Sequence, residues 1–268
     1  MPTPLLLEHL DGVAMLTLNR PDRANVLDVE MSAALIAAID AVAQDKSVRA
    51  VLLQARGRQF CGGGNIGDFA STPEQLGDLL ERGIPPLHRT IHRLATLPLP
   101  VISALNGPIG GGGIGLALCA DIVLAAESMK LRGGYSAIGL TPDVGASWFL
   151  ARRVGAARCK EVFFTNEALS ARECLALGIV SKVYPDAELA ERALALAASL
   201  ARGAAGSLAR IKLLADGAHS RTLAEQLELE QRFMVESGRS ADSAEGVRAF
   251  MQKRAPRFTD PVRPPEAG

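Results

Sequence analysis

The sequence predicts an α/β protein whose C-terminal region is mostly helical. Short apolar runs typical of buried strands alternate with segments of helical periodicity through the first part of the chain. Roughly the last ninety residues are instead dominated by leucine-rich helical periods. The composition agrees with this, because 268 residues that are 48% apolar and 22% charged suit one compact domain, alone or with a helical extension.

Four apolar runs are the predicted strands of the core. The first, GVAMLTLNRP, ends at a proline turn, and VRAVLLQA, LPVISALNG and DIVLAA follow it along the chain. A helix is predicted from about Gly112 to Ala120, between the third and fourth strands. Another lies between the first two strands, where apolar residues recur at helical spacing at Leu27, Met31, Leu35, Ala38 and Val42.

Two capping boxes mark helix starts in the C-terminal part of the chain. Ser170 with Glu173, and Thr222 with Glu225, have the spacing at which a hydroxyl and a carboxylate cap each other's backbone amides. The last residues, TDPVRPPEAG, are rich in proline and poor in apolar residues. The predicted organisation is a core over residues 1–200, a helical region over 201–258 and a disordered tail over 259–268.

Charge, cysteine usage and hydropathy exclude several classes of protein. The 29 basic residues balance 29 acidic ones, which gives no electrostatic reason to expect nucleic acid as a partner. The four cysteines are widely spaced, without a C-x-x-C pair or histidines at metal-ligand spacing, and this predicts neither a disulfide framework nor a metal site. The uncharged stretch 94–120 is long enough to cross a membrane, but its prolines and glycines favour buried strand, turn and helix. We therefore expect a cytoplasmic protein without a membrane partner.

Two glycine-rich turns, at 60–65 and 106–113, each follow a predicted strand. Their free backbone N–H groups could converge on one oxygen, and two such donors suit a carbonyl oxygen that becomes negatively charged. Gly110, Gly112 and Gly115 also match the G-x-G-x-x-G dinucleotide fingerprint, although the predicted helix is short for a βαβ crossover. Close packing of a helix on the sheet is a further interpretation.

The chain resembles the enoyl-CoA hydratase/isomerase (crotonase) family over nearly its whole length. The resembling motifs stand in the family's order: LNRPDRANVL, FCGGGNI, PVISALNGPIGGGGIGLALCAD, GLTPDVGASWFLARRVG, ALGIVSKVYP and GVRAFMQKRAPRF. The resemblance implies a ClpP/crotonase-like ββα superhelix with a C-terminal helical trimerisation region. It also implies an acyl-CoA thioester as substrate, no cofactor beyond the CoA of that substrate, and a homotrimer or a dimer of trimers.

By position in these motifs, the amides of Gly64 and Gly112 would form an oxyanion hole for the thioester carbonyl. The hydratases of the family carry two glutamates that activate water, and the matching positions here are Gly115 and Tyr135. Addition of water by that pair of carboxylates is therefore predicted to be absent.

Asp143 is the acid that remains. Its position resembles that of the catalytic aspartate of dienoyl-CoA isomerases, of the ring-epoxide phenylacetyl-CoA isomerase and of 4-chlorobenzoyl-CoA dehalogenase. Local sequence alone offers another interpretation, in which Asp143 after Pro142 caps the following helix. The residues expected to line the substrate pocket are Tyr135, Gly115, Ile66 and Trp148.

His88 is the second candidate for chemistry. By position it resembles the general-base histidine of the dehalogenase, which would act with an aspartate nucleophile. Alternatively His88 and His92, four residues apart beside arginines, form a solvated basic helix face. For CoA, the resemblance implies contacts from Arg23, Ala24, Val26, Gly62 and Lys253.

These observations predict an acyl-CoA isomerase in which Asp143 moves a proton while Gly64 and Gly112 stabilise the thioester enolate. Three alternatives stay open at this point. The chain could use Asp143 as a nucleophile with His88, as a hydrolase or dehalogenase does, or it could be an enoyl-CoA hydratase as the family name suggests. It could also bind an acyl-CoA or RNA without catalysing a reaction.

Overall fold

The computed structural model describes residues 3–71 and 73–261. The strands are β1 (Leu5–Leu10), β2 (Val13–Leu18), β3 (Ala50–Ala55), β4 (Val101–Leu105), β5 (Ile109–Gly110), β6 (Ile122–Ala126), β7 (Lys130–Arg132), β8 (Leu169–Ser170) and β9 (Lys182–Tyr184). The helices are α1 (Val29–Gln44), α2 (Ile66–Ser71), α3 (Leu76–Ala95), α4 (Gly112–Leu118), α5 (Ala146–Thr165), α6 (Ala171–Ala176), α7 (Leu189–Ala201), α8 (Ala205–Gly217), α9 (Leu223–Gly238) and α10 (Ala241–Met251). The four predicted strands are confirmed as β2, β3, β4 and β6.

Two sheets organise the core. The larger has the order β1-β2-β3-β4-β6-β9, with β1 antiparallel to β2 and every later pair parallel. The smaller has the order β5-β7-β8. Cys61 forms an isolated parallel bridge with Ile109 of β5, which places the first glycine turn beside the second. The two glycine turns, which follow the carboxyl ends of β3 and β4, therefore lie next to each other.

Both faces of the inner strands of the larger sheet are buried, as expected for parallel strands. Along β3, Val51 and Leu53 point into a core shared with α1, α3 and α4, whereas Ala50 and Leu52 point to the opposite face. Helix α7 covers that opposite face with residues spaced by four along one stripe: Leu189, Ala193, Ala197 and Ala201. The small alanines of this stripe let α7 lie close to the strands.

The C-terminal helices are capped as predicted and tied to the core. Both capping boxes are present, at the start of α6 and of α9. The guanidinium of Arg49 donates to the carbonyl oxygens of Ala201, Gly203 and Asp260, at 2.7, 2.9 and 3.0 Å. The predicted tail begins at 259, yet the Asp260 amide also donates to the carboxylate of Asp242 at 3.1 Å. The rest of that predicted tail, from 262 onward, lies outside the described residues.

The uncharged stretch 94–120 folds as buried strand, turn and helix, as predicted. It contributes the last residues of α3 and then β4, β5 and α4, and these last three elements are each too short to cross a bilayer. Among the residues that the structure describes, no helix combines the length and apolar character of a membrane span.

Candidate active site

The turn before α1 supports the first glycine loop. Asn25 is fully buried, and its side-chain amide donates to the carbonyl oxygens of Arg56 and Gln59 at 3.0 and 2.9 Å. The backbone N–H of Leu27 donates to the carbonyl oxygen of Gly63 at 2.8 Å. These bonds fix the path of the loop, so that its amides are positioned before any ligand binds.

The two glycine loops touch each other. Gly63 has a φ of +91°, and a Cβ there would lie 2.8 Å from the Gly110 carbonyl oxygen and 3.1 Å from the Gly112 amide nitrogen. Only glycine permits so close an approach. The N–H groups of Gly64 and Gly112 have no hydrogen-bond partner among the described residues. Gly112 is the first residue of α4, so its amide belongs to the positive end of that helix.

Two cavities meet at these loops. One, of about 250 Å³, lies between α1 and α3 and is mostly apolar. The other, of about 840 Å³, lies between the glycine loops, α3 and the segment from 130 to 143. Gly64, Gly112 and Asp143 line both cavities. The structure therefore brings the two candidate amides and the candidate carboxylate together at one junction.

The carboxylate of Asp143 is oriented by Tyr135. The Tyr135 hydroxyl donates to Oδ1 at 2.6 Å, and Oδ1 lies 3.4 Å from the position that a Cβ on Gly112 would occupy. The other oxygen, Oδ2, accepts no hydrogen bond from the described residues. The alternative in which Asp143 caps the next helix is wrong, because α5 begins after Gly145 in a left-handed conformation and has no side-chain cap.

Tyr135 is suited to hold this carboxylate. Its side chain is only 7% exposed, and its ring packs edge-to-face on Phe163 with the centroids 5.8 Å apart. Burial, together with the charge of Asp143, raises the pKa of the Tyr135 hydroxyl above its usual range. The hydroxyl therefore keeps its proton and acts as a donor to Asp143 at neutral and moderately alkaline pH.

Gly115 leaves no room for a side chain. A Cβ at this position would lie 2.0 Å from the carbonyl oxygen of Val144 and 2.7 Å from its carbonyl carbon. Gly115 is buried and lines neither cavity. A glutamate could occupy this position only if the turn that carries Asp143 moved away from α4.

His88 lies beside Asp143, although its surroundings differ from both predicted interpretations. It lines the larger cavity, and its Nε2 accepts the backbone N–H of Val144 at 3.0 Å. An imidazole on a purely solvated face would have no such partner. A general base would need the lone pair of Nε2 free, and that lone pair is occupied here.

The remaining predicted pocket residues fall on different sides of the site. Ile66, at the start of α2, lines the larger cavity. Trp148 lines neither of the two cavities, contrary to expectation, because it lies on the side of α5 opposite the buried Ala146 and Leu150. Trp148 is 54% exposed and lines a separate cavity of about 640 Å³. The guanidinium of Arg152 lies over its ring, 4.3 Å from the ring centroid.

The residues predicted to contact CoA are only partly adjacent to the junction. Gly62 lines the larger cavity, and its N–H donates to the carbonyl oxygen of Ala24 at 2.9 Å. Arg23 and Val26 flank Ala24 in the same turn but line neither cavity. Lys253 is exposed beyond the end of α10 and also lines neither cavity within one chain.

Besides His88, α3 contributes apolar residues to the site that sequence reasoning did not identify. Leu80, Ile84 and His88, spaced by four, form the stripe of this helix that faces the larger cavity. The neighbouring stripe, with Leu79 and Leu87, faces the smaller one. The spacing of Leu80 and Ile84 was a signal that could have been used, but two prolines interrupt it and obscure the helix.

The fold and this site define a member of the enoyl-CoA hydratase/isomerase family, and the chain belongs to that family. The family's model matches residues 8–261. The chain is 41% identical over 259 residues to 1,2-epoxyphenylacetyl-CoA isomerase of Escherichia coli K12, covering 95% of this chain and 98% of that protein. It is 39% identical over 252 residues to a probable enoyl-CoA hydratase of Rhodobacter capsulatus, covering 94% of this chain and 96% of that protein.

A solved structure of similar shape supports the same assignment. The crystal structure of an enoyl-CoA hydratase from Polaromonas sp. JS666 superposes with a TM-score of 0.90 at 34% identity, covering 95% of this chain and 99% of that one. The chain thus has the crotonase fold, with a mostly parallel sheet and a C-terminal helical region. The predicted family and fold are confirmed.

Proposed function

We propose that the protein is an acyl-CoA isomerase that moves a proton, and with it a double bond, along the acyl group. The amides of Gly64 and Gly112 bind the thioester oxygen. Asp143 removes a proton from the α-carbon, and the electron pair of that C–H bond is delocalised as an enolate stabilised by the two amides. The double bond shifts from the β,γ to the α,β position as Asp143 returns the proton to the γ-carbon.

The observation that carries this proposal is the position of the Asp143 carboxylate. It lines both cavities at their junction, beside the Gly112 amide, which has no partner within residues 3–71 and 73–261, and its Oδ1 accepts the Tyr135 hydroxyl. A base placed there can reach carbon atoms next to a carbonyl group held by the amides. The similarity to an E. coli protein named 1,2-epoxyphenylacetyl-CoA isomerase supports isomerisation of an acyl-CoA.

The structure gives less support to the alternatives. Hydration by two carboxylates would need a glutamate at Gly115, where Val144 leaves no space. Hydrolysis through an Asp143 ester would need a free base, whereas Nε2 of His88 accepts a backbone N–H. We further propose that no cofactor beyond the CoA of the substrate takes part, because moving a proton between carbons involves no net oxidation.

The test is proton exchange in heavy water. Native protein mixed with a 3-enoyl-CoA should form the 2-enoyl isomer with deuterium at the α- and γ-carbons, as mass spectrometry of the product would show. No 3-hydroxyacyl-CoA should accumulate, because the chain lacks the carboxylate pair that activates water. Tight binding of the thioester without any exchange would contradict the isomerase and indicate a non-catalytic acyl-CoA-binding protein.

We also propose that the chain forms a trimer, alone or as a pair of trimers. Large apolar side chains are exposed along the C-terminal helices, and such a surface is typical of a protein interface: Leu223, Leu227, Met234, Val247, Phe250 and Met251. Lys253, beside this surface, would then be free to reach the CoA of a neighbouring subunit.

Sedimentation equilibrium of the full chain measures the number of subunits directly. We expect a mass of three or six chains at micromolar concentration. A monomer at that concentration would contradict this part of the proposal and leave the exposed apolar surface without the partner assigned to it.

A further inference from the structure

We propose that His88 is a positioning residue that holds the strained turn carrying Asp143, and that it does so as a hydrogen-bond acceptor. The inference rests on the proposed isomerase function for its effect on rate. The hydrogen bond itself can be tested without any substrate.

The turn after Asp143 has an unfavourable backbone. Val144 has a φ of +54° and Gly145 a φ of +75°, and the Ala146 N–H donates to the Asp143 carbonyl oxygen at 2.8 Å. Two central residues with positive φ are the mark of a type I′ turn. Glycine adopts this conformation freely, but a β-branched residue such as Val144 is an outlier there. Strain of this kind persists only where the surroundings impose it.

Packing imposes part of that conformation. The Val144 side chain is buried, and its Cγ2 lies 2.9 Å from the position that a Cβ on Gly112 would take. Its carbonyl oxygen faces Gly115 at the distance that excludes any side chain there. Both contacts press the turn against α4, but neither satisfies the backbone N–H of Val144.

His88 satisfies that N–H from the other side. Its Nε2 accepts the Val144 N–H at 3.0 Å, across 56 positions of sequence. Because Nε2 is the acceptor, the proton of the neutral ring lies on Nδ1. A doubly protonated imidazolium would present a donor to a donor and lose this bond. His88 therefore anchors α3 to the residue next to Asp143, and loss of the bond frees the turn to relax.

Loss of the His88 hydrogen bond would change the position of Asp143 rather than a direct contact with the substrate. A shift of the turn would move the carboxylate away from the Tyr135 hydroxyl and from the Gly112 amide. Misplacement of a catalytic group by a fraction of an ångström lowers the rate of the chemical step more than it lowers binding. The signature of a positioning role is thus a fall in kcat with a smaller change in KM.

Two substitutions at this position separate the roles that His88 could have. His88→Leu removes the acceptor. His88→Gln supplies an acceptor oxygen at about the reach of Nε2, but it cannot act as a base or nucleophile. His92→Leu, one turn further along α3 on an exposed position, is the matched control.

We expect kcat for isomerisation to fall about tenfold in His88→Leu, the effect of losing one partly buried hydrogen bond. His88→Gln should stay close to native, as should His92→Leu. Hydrogen exchange of the Val144 amide, resolved by fragmentation mass spectrometry, should be at least about tenfold faster in His88→Leu and native-like in His88→Gln. The Phe149 amide, bonded to the carbonyl oxygen of Gly145 at 2.9 Å, is the reference in the same peptide.

Two results would overturn the inference. One is an unchanged Val144 exchange rate in His88→Leu, which would show that the bond does not hold the turn. The other is an equal loss of activity in His88→Leu and His88→Gln with Val144 still protected in the Gln variant, which would make His88 an acid or base acting on the substrate. If native protein shows no isomerisation, the proposed function fails, while the exchange measurement still decides whether His88 holds the turn.

Discussion

Asp143→Asn should lower the rate of double-bond migration by roughly a thousandfold, within the usual range for loss of a general base. The amide of asparagine has nearly the shape of the carboxylate and can still accept the Tyr135 hydroxyl. It cannot take a proton from carbon. The measurement is deuterium uptake from heavy water into a 3-enoyl-CoA, followed by mass spectrometry of the product, with the substrate concentration varied to separate kcat from KM.

Tyr135→Phe is the comparison variant for Asp143→Asn. It keeps the base but removes the hydroxyl that orients it, and we expect a loss of only about tenfold, the effect of one hydrogen bond to a charged group. Thermal unfolding of both variants should stay close to native, which excludes misfolding as the cause of a lower rate. Retention of full exchange activity in Asp143→Asn would refute the assignment of the base, whatever the effect of Tyr135→Phe.

Adding even one carbon at Gly115 should destabilise the protein by about 3 kcal/mol or more, as forced overpacking against a rigid neighbour does. The Cβ of an alanine would lie 2.0 Å from the Val144 carbonyl oxygen, which is backbone and is held in place by the Asp143 turn. Restoring both carboxylates of the hydratases, as Gly115→Glu with Tyr135→Glu, should therefore give an unstable chain without hydratase activity.

Urea unfolding of Gly115→Ala measures the first effect, and Gly238→Ala is its matched control. A Cβ at Gly238, on an exposed position in α9, would meet nothing within 4 Å. That substitution should leave the free energy of unfolding unchanged or raise it by up to about 1 kcal/mol. A stable Gly115→Glu/Tyr135→Glu double variant that hydrates crotonyl-CoA would show that the turn yields more readily than its packing indicates.

The junction of glycine loops and carboxylate could be predicted because its parts lie at the ends of elements with clear sequence signals. Gly64 and Gly112 follow buried strands, and parallel strands bring their carboxyl ends to one edge of a sheet. The absence of glutamate at Gly115 and Tyr135 was readable position by position. The group that fills the space of the first glutamate side chain could not be predicted. It is the Val144 carbonyl oxygen, which belongs to a turn almost thirty residues after Gly115.

Local patterns failed where an element boundary or a distant partner decides the outcome. Asp143 is a residue type that often caps helices and it stands close before α5. The N-cap of α5 is instead Gly145, in a left-handed conformation, and the Asp143 carboxylate accepts a hydrogen bond from Tyr135. Trp148 is near Asp143 in sequence, but α5 begins between them and turns the indole away from the site. His88 accepts the Val144 N–H from a helix that contains two prolines. Prolines can kink a helix, so the periodicity of the sequence does not predict the direction of the helix axis.

The presence of Asp143 at the junction of both cavities has a stereochemical consequence for the proposed reaction. A carboxylate that both takes and returns the proton approaches the acyl chain from one direction, so that hydrogen leaves and arrives on the same face of the planar enolate. The migration is then suprafacial. A substrate labelled at a single prochiral α-hydrogen would pass part of that label to the γ-carbon, on the same face of the enolate. Two separate groups on opposite faces would instead remove the α-hydrogen from one face and add the γ-hydrogen to the other.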